Sequence, residues 1–133
     1  MKSIDLLGGT EILSEDDCWD LLAMENIGRV AVAFGDQVDV FPVNYGLDGR
    51  GILFRTNAGR KMTAALSGEV AFEVDNIDAE AKAGWSVVVH GEARDISRFD
   101  GPERTRGAQA WTGSKDFLFR IAPRSVSGRR VAA

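Results

Sequence analysis

The order of apolar and polar positions changes period several times along the chain, and each change marks an element. Residues 1–12 show no sustained period and are expected to form a surface arm. From Ser14 a helical rhythm takes over. Cys18, Leu21 and Leu22 recur at the spacing of one buried stripe, with Trp19 or Met24 at its edges. Ser14 can cap this helix, Glu15, Asp16 and Asp17 suit the positive end of its dipole, and Leu13 can staple onto Cys18. Gly28 is expected to close the helical region.

The period then falls to two. Over residues 29–34, Val30, Val32 and Phe34 share a face. Gly35-Asp36 turns the chain, and residues 37–45 return with Val38 and Val40 on one side and Phe41 and Val43 on the other. Pro42 cannot donate to a ladder, so this strand should lie at an edge or carry a bulge there. Asp48-Gly49 is a hairpin turn signal. Residues 52–56 read as a third strand, 60–66 as a short helix and 70–75 (VAFEVD) as a fourth strand. Residues 76–83 read as a polar loop, and 85–94 as a long fifth strand with Gly91 a bulge candidate. Gly101-Pro102 should start a helix reaching about Trp111, since proline is tolerated at the first helical position. Residues 117–121 form a sixth strand, which 125–131 extend or follow. The expected fold class is mainly β: a six-stranded antiparallel barrel with two or three helices at its mouth.

Bulk properties narrow the picture. A length of 133 residues with neither repeat nor linker predicts a single domain, residues 1–133, and 15 glycines predict many turns. No apolar run approaches the ~18 residues that span a membrane, and no signal-peptide pattern opens the chain. One cysteine cannot form an internal disulfide. The expectation is a cytoplasmic, reduced protein with no membrane partner. A net charge of −4 argues against non-specific nucleic-acid binding. That charge is uneven. Residues 115–133 carry Lys115, Arg120, Arg124, Arg129 and Arg130 against Asp116, a net of +4 that leaves −8 on the rest. Such a segment is expected to pair with the acidic body or with a neighbouring subunit.

The densest candidate chemistry runs from Phe41 to Lys61, FPVNYGLDGRGILFRTNAGRK. Arg55, Thr56, Arg60 and Lys61 straddle a strand end and a helix start, where hydroxyl, cations and free backbone N–H groups suit a phosphate. The same charges also fit a solvated basic turn. Neither GxxxxGK[ST] nor GxGxxG is present, which disfavours nucleoside triphosphate and Rossmann sites. Asn44 and Tyr45 bring an amide and a phenol into an otherwise apolar strand. They either border the polar edge of a flat ring or form a turn approach capped by Asn44. Together these features point to a phosphorylated aromatic cofactor lying along a hairpin.

Other candidates carry less. Trp85-Ser86-Val87 reads mostly as barrel wall, with Trp85 in the core or at an interface and Ser86 a polar contact at a cavity rim. Trp111 is equally open between core and stacking roles. His90 and Cys18, the single histidine and cysteine, have no metal-ligand spacing and form no nucleophilic constellation. Cys18 fits a small core residue; His90 fits a structural position or a proton relay. Glu73 and Asp75 share a strand face, and one of them is expected to meet a basic residue rather than perform acid chemistry. No catalytic residue can be singled out, so any catalysis would come from the cofactor.

The succession PVNY, LFRT, GRK, VAFEVD, GWSVVVHG and FRIAPRSVSGRR resembles the actinobacterial branch of the pyridoxamine 5′-phosphate oxidase-like flavoproteins, over about residues 13 to 131. No single motif is specific; their order and spacing are. The resemblance implies a split β-barrel that binds FMN and works as a homodimer, with flavin clefts at the subunit interface. It would set Pro42, Val43 and Asn44 beside the isoalloxazine ring and Phe54, Arg55 and Thr56 along the ribityl and phosphate side. Lys61, with Arg60 nearby, would hold the phosphate, and Trp85, Ser86 and Val87 would line the same cleft from the second subunit. The implied activity is oxidoreduction of a small-molecule substrate. Relatives on this fold also use a deazaflavin or haem, and some only bind their cofactor. An Arg-Leu-x-Pro element, associated with vitamin B6 phosphate oxidation, is missing; RIAPR is only a loose echo of it.

Overall fold

The computed structural model describes residues 3–4, 10–57, 59–99 and 117–131. Part of the expected N-terminal arm is sheet. Strand β1 (Ser3–Ile4) pairs with β2 (Glu11–Ile12), and β2 lies along the chain's C-terminal end, with Glu11 opposite Arg130 and Ile12 opposite Arg129. Helix α1 (Glu15–Leu22) starts where its cap dictates: the Ser14 hydroxyl accepts from the Asp17 N–H at 3.1 Å. Cys18, Trp19, Leu21 and Leu22 are buried and Met24 is exposed, so Trp19 belongs to the apolar stripe and Met24 does not.

The main strands are β3 (Ile27–Phe34), β4 (Gln37–Asp48), β5 (Gly51–Thr56), β6 (Gly68–Asp78), β7 (Ala83–Asp95) and β8 (Phe117–Val131), with α2 (Arg60–Leu66) between β5 and β6. They run in the order β8-β5-β4-β3-β6-β7, and β7 pairs back onto β8, so six antiparallel strands close a ring. Gly35 (φ 61°) and Gly49 (φ 62°) make the two hairpin turns with the left-handed backbone such turns need. A register shift does occur between His90 and Gly91. Those residues face Ser125 and Pro123, so the extra residue of the bulge is Arg124, on the opposite strand.

The ring is not paired evenly. β4 pairs with β3 from Gln37 to Asn44, but with β5 only from Tyr45 to Asp48. Residues 37–44 thus have a neighbour on one side, and the barrel splits there. Pro42 sits in this one-sided stretch, where a missing N–H leaves no gap in a second ladder.

Two boundaries differ from the sequence reading. Gly28 is not a helix end; it lies inside β3, buried against Phe72. The polar stretch 76–83 shrinks to a turn at 79–82, because β6 and β7 extend beyond the core as solvated strand tips that need no apolar residues. Residues 125–131 extend β8, one of the two expected outcomes. The helix expected over 101–111, with Trp111, lies outside the described residues.

Inside the ring, Tyr45 meets Phe72 edge-on (centroids 5.0 Å apart, 75°) and Phe54 stacks on Phe119 (5.5 Å, 12°). Each large side chain buried this way contributes ~1.5–3 kcal/mol. The Tyr45 hydroxyl donates to the Leu22 carbonyl at the end of α1, tying that helix to the barrel. The basic C-terminal segment pairs with the body: Arg120 with Asp48 at 3.3 Å, Arg124 with Glu69, and Arg130 with Glu11 at 3.4 Å.

Candidate functional site

Alternation along each strand decides which of the singled-out residues can present a side chain outside the barrel. On β4, Val43 and Tyr45 point inward, so Pro42 and Asn44 point out. On β5, Phe54 is in the core and Thr56 is buried at the strand end, while Arg55 is half-buried on the outer side. On β7, Val87 is in the core and Ser86 faces out. Val43, Phe54 and Val87 can therefore offer a ligand their backbone, not their side chains. The Tyr45 phenol also faces inward, and burial, with the Glu25 charge next, pushes it well above its ordinary range.

The split gathers one group. Continuing the β4–β5 register one pair beyond Tyr45 and Phe54 sets Asn44 across from Arg55, where the ladder ends. Thr56 follows, and Arg60 and Lys61 are exposed at the start of α2. A cavity of about 410 Å³ opens beside that helix, with Asn57, Gly59, Arg60, Thr63 and Ser67 among the residues on its wall and no carboxylate among those described. With seven residues, α2 has a weak dipole, so the cations rather than the helix define this mouth as anion-seeking.

Trp85 and Ser86 belong to a second group. They line a cleft of about 330 Å³ at the tip of the β6–β7 hairpin, together with Ile77, Lys82, Arg129 and Val131. Ser86 pairs with Asp75 on β6 and Arg129 on β8. From Asn44 on β4 to Ser86 on β7 there are three strand spacings of about 4.8 Å, or about 14 Å along the outer face. Ser86 and Asn44 therefore lie on the same outer face of the sheet, about 14 Å apart.

Between them lies a cluster that sequence reasoning caught only in part. Arg29 sits opposite Pro42 on one side and Glu73 on the other, and its guanidinium is 3.7 Å from Glu73 and 3.9 Å from Asp75. Glu73 and Asp75 do meet a basic residue, as expected. Arg29 went unnoticed because only the β3–β6 register brings it to them. The Glu73 carboxyl is pushed up to about 7, first by burial, then by its hydrogen bond to Asp75 and that neighbour's charge, with Arg29 opposing. Elsewhere, burial, then Asp17 and Glu15, raise the Cys18 thiol, which is a core residue. His90 is exposed on β7. No group of three metal-ligating side chains occurs among the described residues, and no described helix is long and apolar enough to cross a membrane.

A six-stranded antiparallel ring, opened on one side and bordered there by cations, defines a split β-barrel protein. Residues 14–130 match the sequence model of the family described as pyridoxamine 5'-phosphate oxidase, and the chain belongs to that family. An uncharacterized protein of Mycobacterium tuberculosis, Rv0080, is 32% identical over 91% of this chain and 85% of its own. The solved structure of an FAD binding protein from Mycobacterium smegmatis is 32% identical, with a TM-score of 0.71 over 92% of this chain and 98% of that one. A conserved protein of unknown function from Corynebacterium diphtheriae is 36% identical, with a TM-score of 0.69 over 89% and 94% of the two chains.

Proposed function

We infer that this chain is an FMN-binding flavoprotein that works as a homodimer and transfers electrons to or from a small molecule. The observation that carries the reading is the donor set at the split. Arg60 lines a cavity whose described wall holds no carboxylate, Lys61 follows it, exposed at the start of α2, and Arg55 and Asn44 stand where the β4–β5 ladder ends. That chemistry fits a phosphate with a polar-edged ring beyond it. When bound, a flavin supplies the hydride chemistry, and no side chain of this protein need act as a nucleophile. Arg55 and Lys61 hold the phosphate, Arg60 adds to the local field, and Asn44 aims a hydrogen bond at the ring edge. Pro42 gives the ring a flat, rigid wall.

The spacing supports the homodimer. Ser86 and Trp85 cannot reach a ring seated at Asn44 of their own chain across about 14 Å of sheet. A second copy packed face to face brings its Ser86 half-site to the first copy's split. The similarity to an FAD binding protein from Mycobacterium smegmatis supports a flavin as the ligand.

Titration of flavin-free protein with FMN and with riboflavin tests the assignment. FMN should bind, and Arg55→Ala with Lys61→Ala should weaken it by at least about tenfold per cation, each charged hydrogen bond being worth ~1.5–3 kcal/mol. Riboflavin should bind poorly to every version. Equal affinity for the two flavins would refute the phosphate site. Chromatography of flavin released from purified protein separates FMN from FAD. Bleaching by a reduced nicotinamide separates an enzyme from a binder, and sedimentation should return a dimer.

A further inference from the structure

The charged cluster on the outer face touches both ends of the stretch between Asn44 and Ser86. Arg29 on β3 lies one strand spacing, about 4.8 Å, from Pro42, and Asp75 on β6 lies the same spacing from Ser86. Arg29 also pairs with Glu73 in the β3–β6 ladder, and its guanidinium reaches the two carboxylates at 3.7 and 3.9 Å. The side chains next to the cluster on that face carry no charge. They are Pro42 on β4, Ile27 and Ala31 on β3, Ala71 and Ile77 on β6, and Ser86 and Val88 on β7.

The cluster's own charges therefore do not cancel. Two carboxylates against one guanidinium leave a net −1 when all are ionised, and one bound proton brings the sum to zero. All three side chains are partly exposed, so water stabilises the odd charge. A flat ligand laid beside them removes that water, and burial favours the neutral sum. Glu73 is the group that takes the proton, since burial and then Asp75 already push its carboxyl up to about 7.

We propose that Glu73, with Asp75 and Arg29, is a proton-linked positioning group of the flavin site: seating the ring between Pro42 of one copy and Ser86 of the other loads one proton from solvent onto the carboxyl pair. The inference rests on the flavin reading above. Arg29 keeps the remaining carboxylate paired. Occupancy of the site is then coupled to pH on the alkaline side of neutrality, and a proton is stored one strand spacing from the residues that border the ring.

The experiment is calorimetric titration of flavin-free protein with FMN in two buffers of different ionisation enthalpy, which counts the protons taken up per flavin bound. The protein concentration is one at which sedimentation shows the same assembly before and after FMN is added. At about pH 8 the flavin phosphate is already a dianion, its second pKa lying near ~6, and contributes no uptake. Unmodified protein should take up more than about half a proton per FMN, and Glu73→Gln none. Asp75→Asn, which leaves Glu73 and Arg29 at zero net charge, should also take up none. Between about pH 7 and about pH 8.5 the FMN affinity of unmodified protein should fall about tenfold relative to Glu73→Gln. At about pH 5.5, where residue 73 is neutral in both, the two affinities should agree. Uptake that persists in both variants, or an affinity ratio that stays flat with pH, would overturn this inference and leave the flavin reading standing. Failure of unmodified protein to bind FMN at any pH would remove both.

Discussion

Replacing Glu73 by glutamine should make the protein more stable above neutrality and leave it unchanged in mild acid. The carboxyl shares the outer face of β6 with Asp75, and both lean on one guanidinium, Arg29, at 3.7 and 3.9 Å. Burial and the Asp75 charge outweigh that cation and raise the group from 4.5 to about 7. The sign follows from proton binding. Between those two values the folded chain holds a proton that the unfolded chain has lost, so stability falls as pH rises through the window and levels off above it. The full displacement corresponds to about 3 kcal/mol at ~1.4 kcal/mol per pH unit. With the side chain 35% exposed, solvent screening brings this down to about 1–2 kcal/mol. Urea unfolding of both proteins at about pH 5 and about pH 8 measures it. The two should agree at the lower pH, and Glu73→Gln should be ahead by about 1–2 kcal/mol at the higher. Slopes from carboxylates that do not touch Glu73 are common to both proteins and cancel in the difference, while Asp75, which shares a hydrogen bond and Arg29 with it, belongs to the effect measured. A difference that stays flat, or one that favours the native glutamate as pH rises, would mean that Arg29 prevails and that Glu73 is an ordinary ion-pair partner.

Two further substitutions probe the frame that holds the half-sites. Tyr45→Phe strips the Leu22 carbonyl of its buried donor and should cost ~1–3 kcal/mol by thermal or urea unfolding, with faster amide exchange at the end of α1; a loss below about 0.5 kcal/mol would show that water replaces the hydroxyl. Gly28→Ala drives a Cβ into the edge of the Phe72 ring and to 3.1 Å from the Glu73 carbonyl oxygen, and should cost ~1–3 kcal/mol from overpacking; unchanged stability would mean that the ring edge shifts freely.

The elements written in local chemistry were legible. Ser14 with its acidic first turn marked α1, and the run from Arg60 to Leu66 marked α2 at both ends. Gly35 and Gly49 placed the hairpins. What local pattern does not carry is which strands meet. β8 joins β5 to β7, and its arginines find Asp48, Glu69 and Glu11, all far off in sequence. For the site the limit is geometric. Motifs such as PVN, FRT and WSV name contiguous residues, but a strand turns every second one inward, so Val43, Phe54 and Val87 are core and their neighbours face out. Lys82 carried no signal and Arg129 only that of a basic C-terminal segment, because only the hairpin turn and the β7–β8 register bring them to one cleft.

Three features of the outer face bear on one another. Val38 and Val40, 70% and 63% exposed, lie on the same side of the sheet as Pro42 and Asn44, and Ile77 lies on the same side as Ser86. A second copy that joined the half-sites would also cover these side chains, which supplies an apolar driving force that the charged mouth lacks. The Arg29, Glu73 and Asp75 cluster sits between the half-sites and would be drawn into the same contact. Covering a carboxyl already poised near neutrality favours its protonated form further. Assembly by this face should therefore take up protons and weaken as pH rises past about 7, the value at which Glu73 ionises in the single chain. An interface elsewhere on the barrel would leave that titration untouched, so the pH dependence of self-association and that of Glu73→Gln stability together identify the face.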